Sequence, residues 1–175
     1  MPITLSGVTV NNGMFMGNGT NVIPAPLDIY SWAYSGGSFN STISRDTATT
    51  LSPAGGVPLR MDVTADDPYI ASYNGPAWNL APATIGQTWK ATVYAKASGL
   101  GSEASIFIFG APDSGTYIEA FVNITSIPST WTKISCTYTL TNATTTKVQA
   151  RLDGPDSGGA GKIIWFDQFL LYRIS

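Results

Sequence analysis

Lys147-Val148-Gln149-Ala150-Arg151-Leu152 alternates polar and apolar side chains without a break. Successive strand residues point to opposite faces. Val148, Ala150 and Leu152 therefore face one way, and Lys147, Gln149 and Arg151 the other. The same period recurs along the chain. From Tyr117 to Thr125 the reading puts Ile118, Ala120, Val122 and Ile124 in the core, opposite Tyr117, Glu119, Phe121 and Asn123. In Lys90–Ala97 the inward set is Ala91, Val93, Ala95 and Ala97, and the outward set Lys90, Thr92, Tyr94 and Lys96.

Further strands are expected near 3–10, 29–34, 39–44, 58–64, 68–73, 104–110, 131–140 and 162–174, several of them rich in β-branched and aromatic residues. The last is apolar on both parities, which predicts cover on both sides. Turn chemistry separates the segments, as in Ser52-Pro53-Ala54-Gly55-Gly56 and Gly154-Pro155-Asp156-Ser157-Gly158-Gly159. No heptads and no long 3.6-residue period interrupt them. Many short alternating strands predict an all-β, two-sheet antiparallel sandwich. With 175 residues, a single domain over 1–175 is expected.

Composition narrows the chemistry. Charged residues are 11% of the chain, against about 25% in an average soluble protein. The net charge is −2 with no basic run, so no nucleic-acid partner is expected. No apolar stretch is long enough to span a membrane. The opening MPITLSGVTVNNG has neither a basic segment nor a long apolar one, so it does not read as a secretory signal. Histidine is absent, which removes Ser–His and Cys–His nucleophile pairs and imidazole metal ligands. Cys136 is the only cysteine; within Ile134, Cys136, Tyr138, Leu140 it reads as a small buried hydrophobe. Glu119 and Asp153 are the carboxylates nearest to a glycosidase pair, but nothing in the pattern demands one, and no catalytic residue is expected.

Four stretches, in order along nearly the whole chain, resemble carbohydrate-binding modules of the family 4/9 type. Asn12-Gly13-Met14-Phe15-Met16-Gly17 is similar to that family's opening Asn-Gly-x-Phe-Glu-x-Gly. Ser52–Arg60 is similar to its turn into a strand of Ser-Leu-Arg type. Gly86-Gln87-Thr88-Trp89-Lys90-Ala91-Thr92-Val93-Tyr94-Ala95-Lys96-Ala97 is similar to its Gly-x-Thr-Tyr-x-x-Ser-x-Tyr-x-Lys-Ala strand. Trp131-Thr132-Lys133-Ile134, with the closing Ile164–Tyr172, is similar to its final strands. The resemblance implies a jelly roll of the galactose-binding-like shape and binding without catalysis. In that family the opening Glu and a closing Asp commonly help hold a structural calcium ion. Here Met16 stands in the Glu position and Asp167 remains. A thioether is a poor ligand for a hard cation. No cofactor is therefore expected, beyond a calcium ion held weakly at Asp167.

Sugar recognition needs rings to stack on C–H faces and planar polar groups to bond hydroxyls. The outward parity supplies Tyr94, Phe107, Tyr117 and Phe121 as rings, and Lys96, Glu119, Gln149 and Arg151 as polar partners, with Trp78 closing one end. Trp32, Trp89, Trp131 and Trp165 are expected in the core. The leading functional expectation is a non-catalytic virion surface protein, such as a phage head-decoration or tail-associated protein. Its partners would be other virion proteins, its own copies, or polysaccharide. Scarce Lys and Glu suit a chain with extensive contacts. The alternative is an extracellular binding module of a polysaccharide-degrading enzyme.

Overall fold

A computed structural model describes residues 4–5, 8–11, 14–15, 19, 21–23, 27–30, 38–47, 56–70, 81–99, 102–112 and 117–175. The fold is an antiparallel two-sheet β-sandwich. Its strands are β1 (Thr4–Leu5), β2 (Val8–Asn11), β3 (Met14–Phe15), β4 (Ser38–Phe39), β5 (Ser41–Arg45), β6 (Leu59–Val63) and β7 (Tyr69–Ile70). They continue with β8 (Ala81–Pro82), β9 (Thr88–Ala97), β10 (Ser102–Ala111), β11 (Glu119–Ile127), β12 (Thr132–Thr139), β13 (Lys147–Asp153) and β14 (Ile163–Arg173). One sheet runs β11-β10-β13-β7-β4, with β8 also paired to β13; the other runs β12-β9-β14-β6-β5. β1, β2 and β3 form a separate small sheet. No helix among the described residues is long and apolar enough to cross a membrane.

Alternation builds the core as expected in two places. Val148 and Leu152 of β13 are fully buried, and Ala150 nearly so. Ala91, Val93, Ala95 and Ala97 of β9 are buried on the inner face of the other sheet, opposite β10, with small side chains that let the two sheets approach. Each fully buried Ile, Leu or Phe here contributes about 1.5–3 kcal/mol relative to exposure. In β14 a bulge intervenes. The register against β9 shifts between Asp167 and Leu170, and Gln168 takes φ 51°. The extra residue lets Phe166 and Phe169 both reach the core although they are three apart.

Three expectations are corrected. Ile29 and Tyr30 are helical, not the start of a strand over 29–34; a short apolar run does not by itself distinguish the two. Residues 31–34 lie outside the described residues, as do 71–73 of the strand expected over 68–73. In β11 the parity is reversed. Gly110 pairs with Glu119 and the fully buried Ile108 with Phe121, so Glu119, Phe121 and Asn123 share the inner face. Ile118 and Ile124 are exposed. Both parities of this segment carry apolar residues, and a one-residue slip flips every side chain. Trp89 is in the core, but Trp131 and Trp165 are half-buried on the outer face of the second sheet. Trp32 is not among the described residues.

Candidate functional site

Cross-strand register decides which side chains share a surface. On the outer face of the β11-β10-β13-β7-β4 sheet, Phe107 pairs with Arg151 and Phe109 with Gln149, while Ser105 pairs with Asp153. Asp153 pairs in turn with Tyr69, and Tyr69 with Phe39. One continuous band results. Phe39 stacks on Tyr69 at 5.1 Å, Phe107 on Phe109 at 5.3 Å, and Phe109 meets Tyr117 at 4.6 Å.

Arg151 ties the two halves together. Its guanidinium carbon lies 4.8 Å from the Tyr69 ring centre, 4.4 Å from Phe107 and 5.5 Å from Phe109. These are cation–π distances. Its Nη2 donates to Asp153 Oδ2 at 2.5 Å. Asp153 is 1% exposed. Its Oδ1 is buried without a hydrogen-bond partner, as is Arg151 Nε. Burial is the dominant influence on Asp153 and raises its carboxyl to about 7; Arg151 opposes the rise, and Asp67 and Asp156 add to it. Phe109 and Gln149 are also buried and form the floor of the band. Phe107, Tyr69 and Arg151 are half-buried, while Phe39 and Tyr117 are exposed at its ends.

The structure thus brings together Phe107, Tyr117, Gln149 and Arg151. It separates them from the other candidates. Tyr94 and Lys96 lie on the outer face of the opposite sheet, where Lys96 Nζ sits 5.2 Å from the Trp131 ring centre and 4.7 Å from that of Trp165. Glu119 and Phe121 point between the sheets at their open edge. Glu119 Oε2 accepts from Tyr138 Oη, the Thr141 amide and hydroxyl, and the Asn142 amide; its Oε1 accepts from the Thr145 hydroxyl. Trp78 lies outside the described residues. The single outward groove read from alternation is therefore two surfaces and an edge, because strand order, not local pattern, decides which strands are neighbours. Tyr69, Phe39 and Phe109 were not among the expected rings, and Asp153 was weighed only as a catalytic carboxylate. For Phe109 and Asp153 a signal existed: each stands two residues from a chosen partner, hence on the same face.

Glu119 and Asp153 belong to opposite faces of one sheet, since Glu119 pairs with Gly110 and Asp153 with Ser105 on alternate parities of β10. They do not face each other across one bond, as a glycosidase pair must. Asp167 is fully buried, and its Oδ1 accepts from the Gln168 amide at 2.7 Å. The described residues contain no group of three or more His, Cys, Asp or Glu side chains that would hold a metal.

Scanned against family models and curated proteins, the sequence matches none. Solved structures share the fold. A bacteriophage CBA120 tailspike protein 4 domain matches over 78% of this chain and 19% of its own, with TM-score 0.57 and 8% identity. An arabinose-bound α-L-arabinofuranosidase matches over 78% and 22%, with TM-score 0.53 and 16% identity. The chain thus spans about a fifth of each of these two proteins. The CBM22-1 xylan-binding domain from Paenibacillus barcinonensis matches over 79% of this chain and 86% of its own, with TM-score 0.52 and 11% identity. The fold is therefore that of a carbohydrate-binding-module jelly roll.

Proposed function

We propose that this chain is a non-catalytic module that holds an extended glycan along the outer face of the β11-β10-β13-β7-β4 sheet. The observation that carries the proposal is the band Phe39–Tyr69–Arg151–Phe107–Phe109–Tyr117, in which rings and a guanidinium run continuously across strands far apart in sequence. Such rings stack on the C–H faces of sugars, while Arg151 offers planar donors to hydroxyls above the floor formed by Phe109 and Gln149. Phe107, Tyr117 and Arg151 are the proposed contacts. The fold shared with a xylan-binding domain supports the reading.

The test is retardation in gels containing a panel of polysaccharides. The wild type is retarded by at least one polymer, and Phe107→Ala loses tenfold or more in affinity while keeping its thermal midpoint within a few degrees. No retardation by any polymer, or an unchanged Phe107→Ala, overturns the reading.

Two settings suit such a module. The match to a phage tailspike domain favours a virion surface protein that touches other virion proteins, its own copies or host polysaccharide. The match to the xylan-binding domain favours an extracellular module carried by a polysaccharide-degrading enzyme. Stoichiometric addition of the purified chain to particles lacking it establishes the first; failure to associate refutes it.

A further inference from the structure

We infer that the glycan selected by this face bears carboxylate groups, as a uronic-acid polymer does, and that Arg151 receives them in competition with its own neighbour Asp153. The inference rests on the glycan-binding reading above and names its substrate class.

The geometry points there in three steps. A guanidinium is a planar fork that matches a carboxylate through two parallel N–H bonds. In Arg151, Nη2 is engaged by Asp153 Oδ2 at 2.5 Å, and among the described residues Nε is buried without a partner. The internal ion pair therefore leaves the fork partly unused. Next, the rings of Tyr69, Phe107 and Phe109 surround the guanidinium. They hold its position and offer stacking surface beside it. A sugar stacked on Phe107 would carry a ring carboxylate within reach of the cation.

Third, Asp153 is a poor permanent counter-ion. It is 1% exposed and its Oδ1 has no donor. An ionised carboxylate buried with a vacant oxygen is costly, and burial favours its neutral form. The rise of Asp153 to about 7 agrees with this. Once Asp153 takes a proton, the charge of Arg151 is uncompensated within an aromatic band. Among the described residues, the groups around Asp153 are Arg151 on its own strand, Tyr69 on β7, Ser105 on β10, and Asp67 and Asp156 on the adjoining loops. Arg151 is the only cation among them. Lys147 adds a second cation to the same outer face, four residues along β13.

Charge on the ligand is separated from its backbone by comparing polygalacturonate with fully methyl-esterified pectin, alongside neutral xylan, by isothermal titration at pH 6 and pH 8. Wild type is expected to bind polygalacturonate at least tenfold more tightly than the esterified polymer. Its affinity for polygalacturonate should be several-fold higher at pH 6 than at pH 8, because the polymer stays ionised while Asp153 is neutralised. Arg151→Gln should abolish the preference for the free acid. Asp153→Asn, which removes the competitor without removing the cation, should bind polygalacturonate at pH 8 as tightly as wild type does at pH 6, and should lose the pH dependence. That gain separates the proposal from loss of folding in the Arg151 variant. Equal binding of free and esterified polymers, or no gain in Asp153→Asn, overturns the inference while the glycan-binding reading stands if neutral polymers bind. If no polymer binds, both fall.

Discussion

Phe121 of β11 stacks on Tyr138 of β12, with ring centres 5.6 Å apart and planes 9° from parallel. The two strands end different sheets, so this pair clasps the sandwich at one open edge. Aromatic pairs of this kind contribute about 0.5–1.5 kcal/mol beyond burial. Phe121 is 43% exposed, so Phe121→Ala should cost less than a fully buried ring, about 1–2 kcal/mol. For a chain of this size that lowers the melting temperature by about 2–4 °C per kcal/mol. Glycan retention should not change, because the ring lies off the outer face. Lost retention at an unchanged melting temperature would return Phe121 to the ligand surface.

Glu119 serves the same edge by a different means. Its carboxylate gathers the Tyr138, Thr141 and Thr145 hydroxyls and the amides of Thr141 and Asn142. Glu119→Ala leaves these donors unmatched, Thr145 among them at 3% exposed, and should cost about 1–3 kcal/mol. Burial is the largest single influence on this carboxyl and raises it, but the hydrogen bonds together outweigh burial and lower it from the ordinary 4.5. A lowered acid stabilises the fold above its ordinary range and loses that contribution as pH falls through the folded value. Urea midpoints of wild type and Glu119→Gln should therefore differ most near neutrality and converge in strong acid. Gly110, directly across from Glu119, leaves the space this requires: a Cβ there would lie 2.5 Å from Glu119 Oε1.

Cys136 is 2% exposed beneath this edge, and burial, opposed by the backbone of Ile108, raises its thiol to about 11. The thiolate is the reactive form. At pH 8 the native protein should react with a thiol reagent only as fast as it unfolds, while in denaturant one thiol should titrate at once. Rapid labelling of the native chain would show that the edge opens.

These residues also mark how far the sequence was legible. β9 and β13 carry small or apolar residues on one parity and long polar ones on the other, so their inward faces read correctly. β11 offers Ile118, Ala120, Val122 and Ile124 on one parity and an aromatic with a hydrogen-bonded acid on the other. Burial alone prefers the aliphatic set. The structure prefers the set that fastens to β12, a partner that is not visible in local alternation. The same limit applies to the aromatic band. Phe107, Gln149 and Arg151 were legible because each alternates within a long strand. Tyr69 and Phe39 sit on two-residue strands whose place beside β13 depends on contacts distant in sequence.

Asp153 gives the sharpest pH test of the fold itself. Its folded value of about 7 stands above the ordinary 3.8. Between these values the native state holds a proton that the unfolded chain has released, so stability from this group falls as pH rises, by up to about 1.4 kcal/mol per pH unit. The decline ends above about pH 7, where both states are ionised and the buried charge is fully felt. Asparagine fills the same volume without that charge. The difference in urea-derived stability between Asp153→Asn and wild type should therefore move in favour of the variant from pH 5 to pH 7.5 and then level off. Other carboxylates, Glu119 included, cancel in the comparison. A difference that stays constant over this range would mean that Arg151 keeps Asp153 ionised throughout, and that the guanidinium has no charge to spare for a ligand.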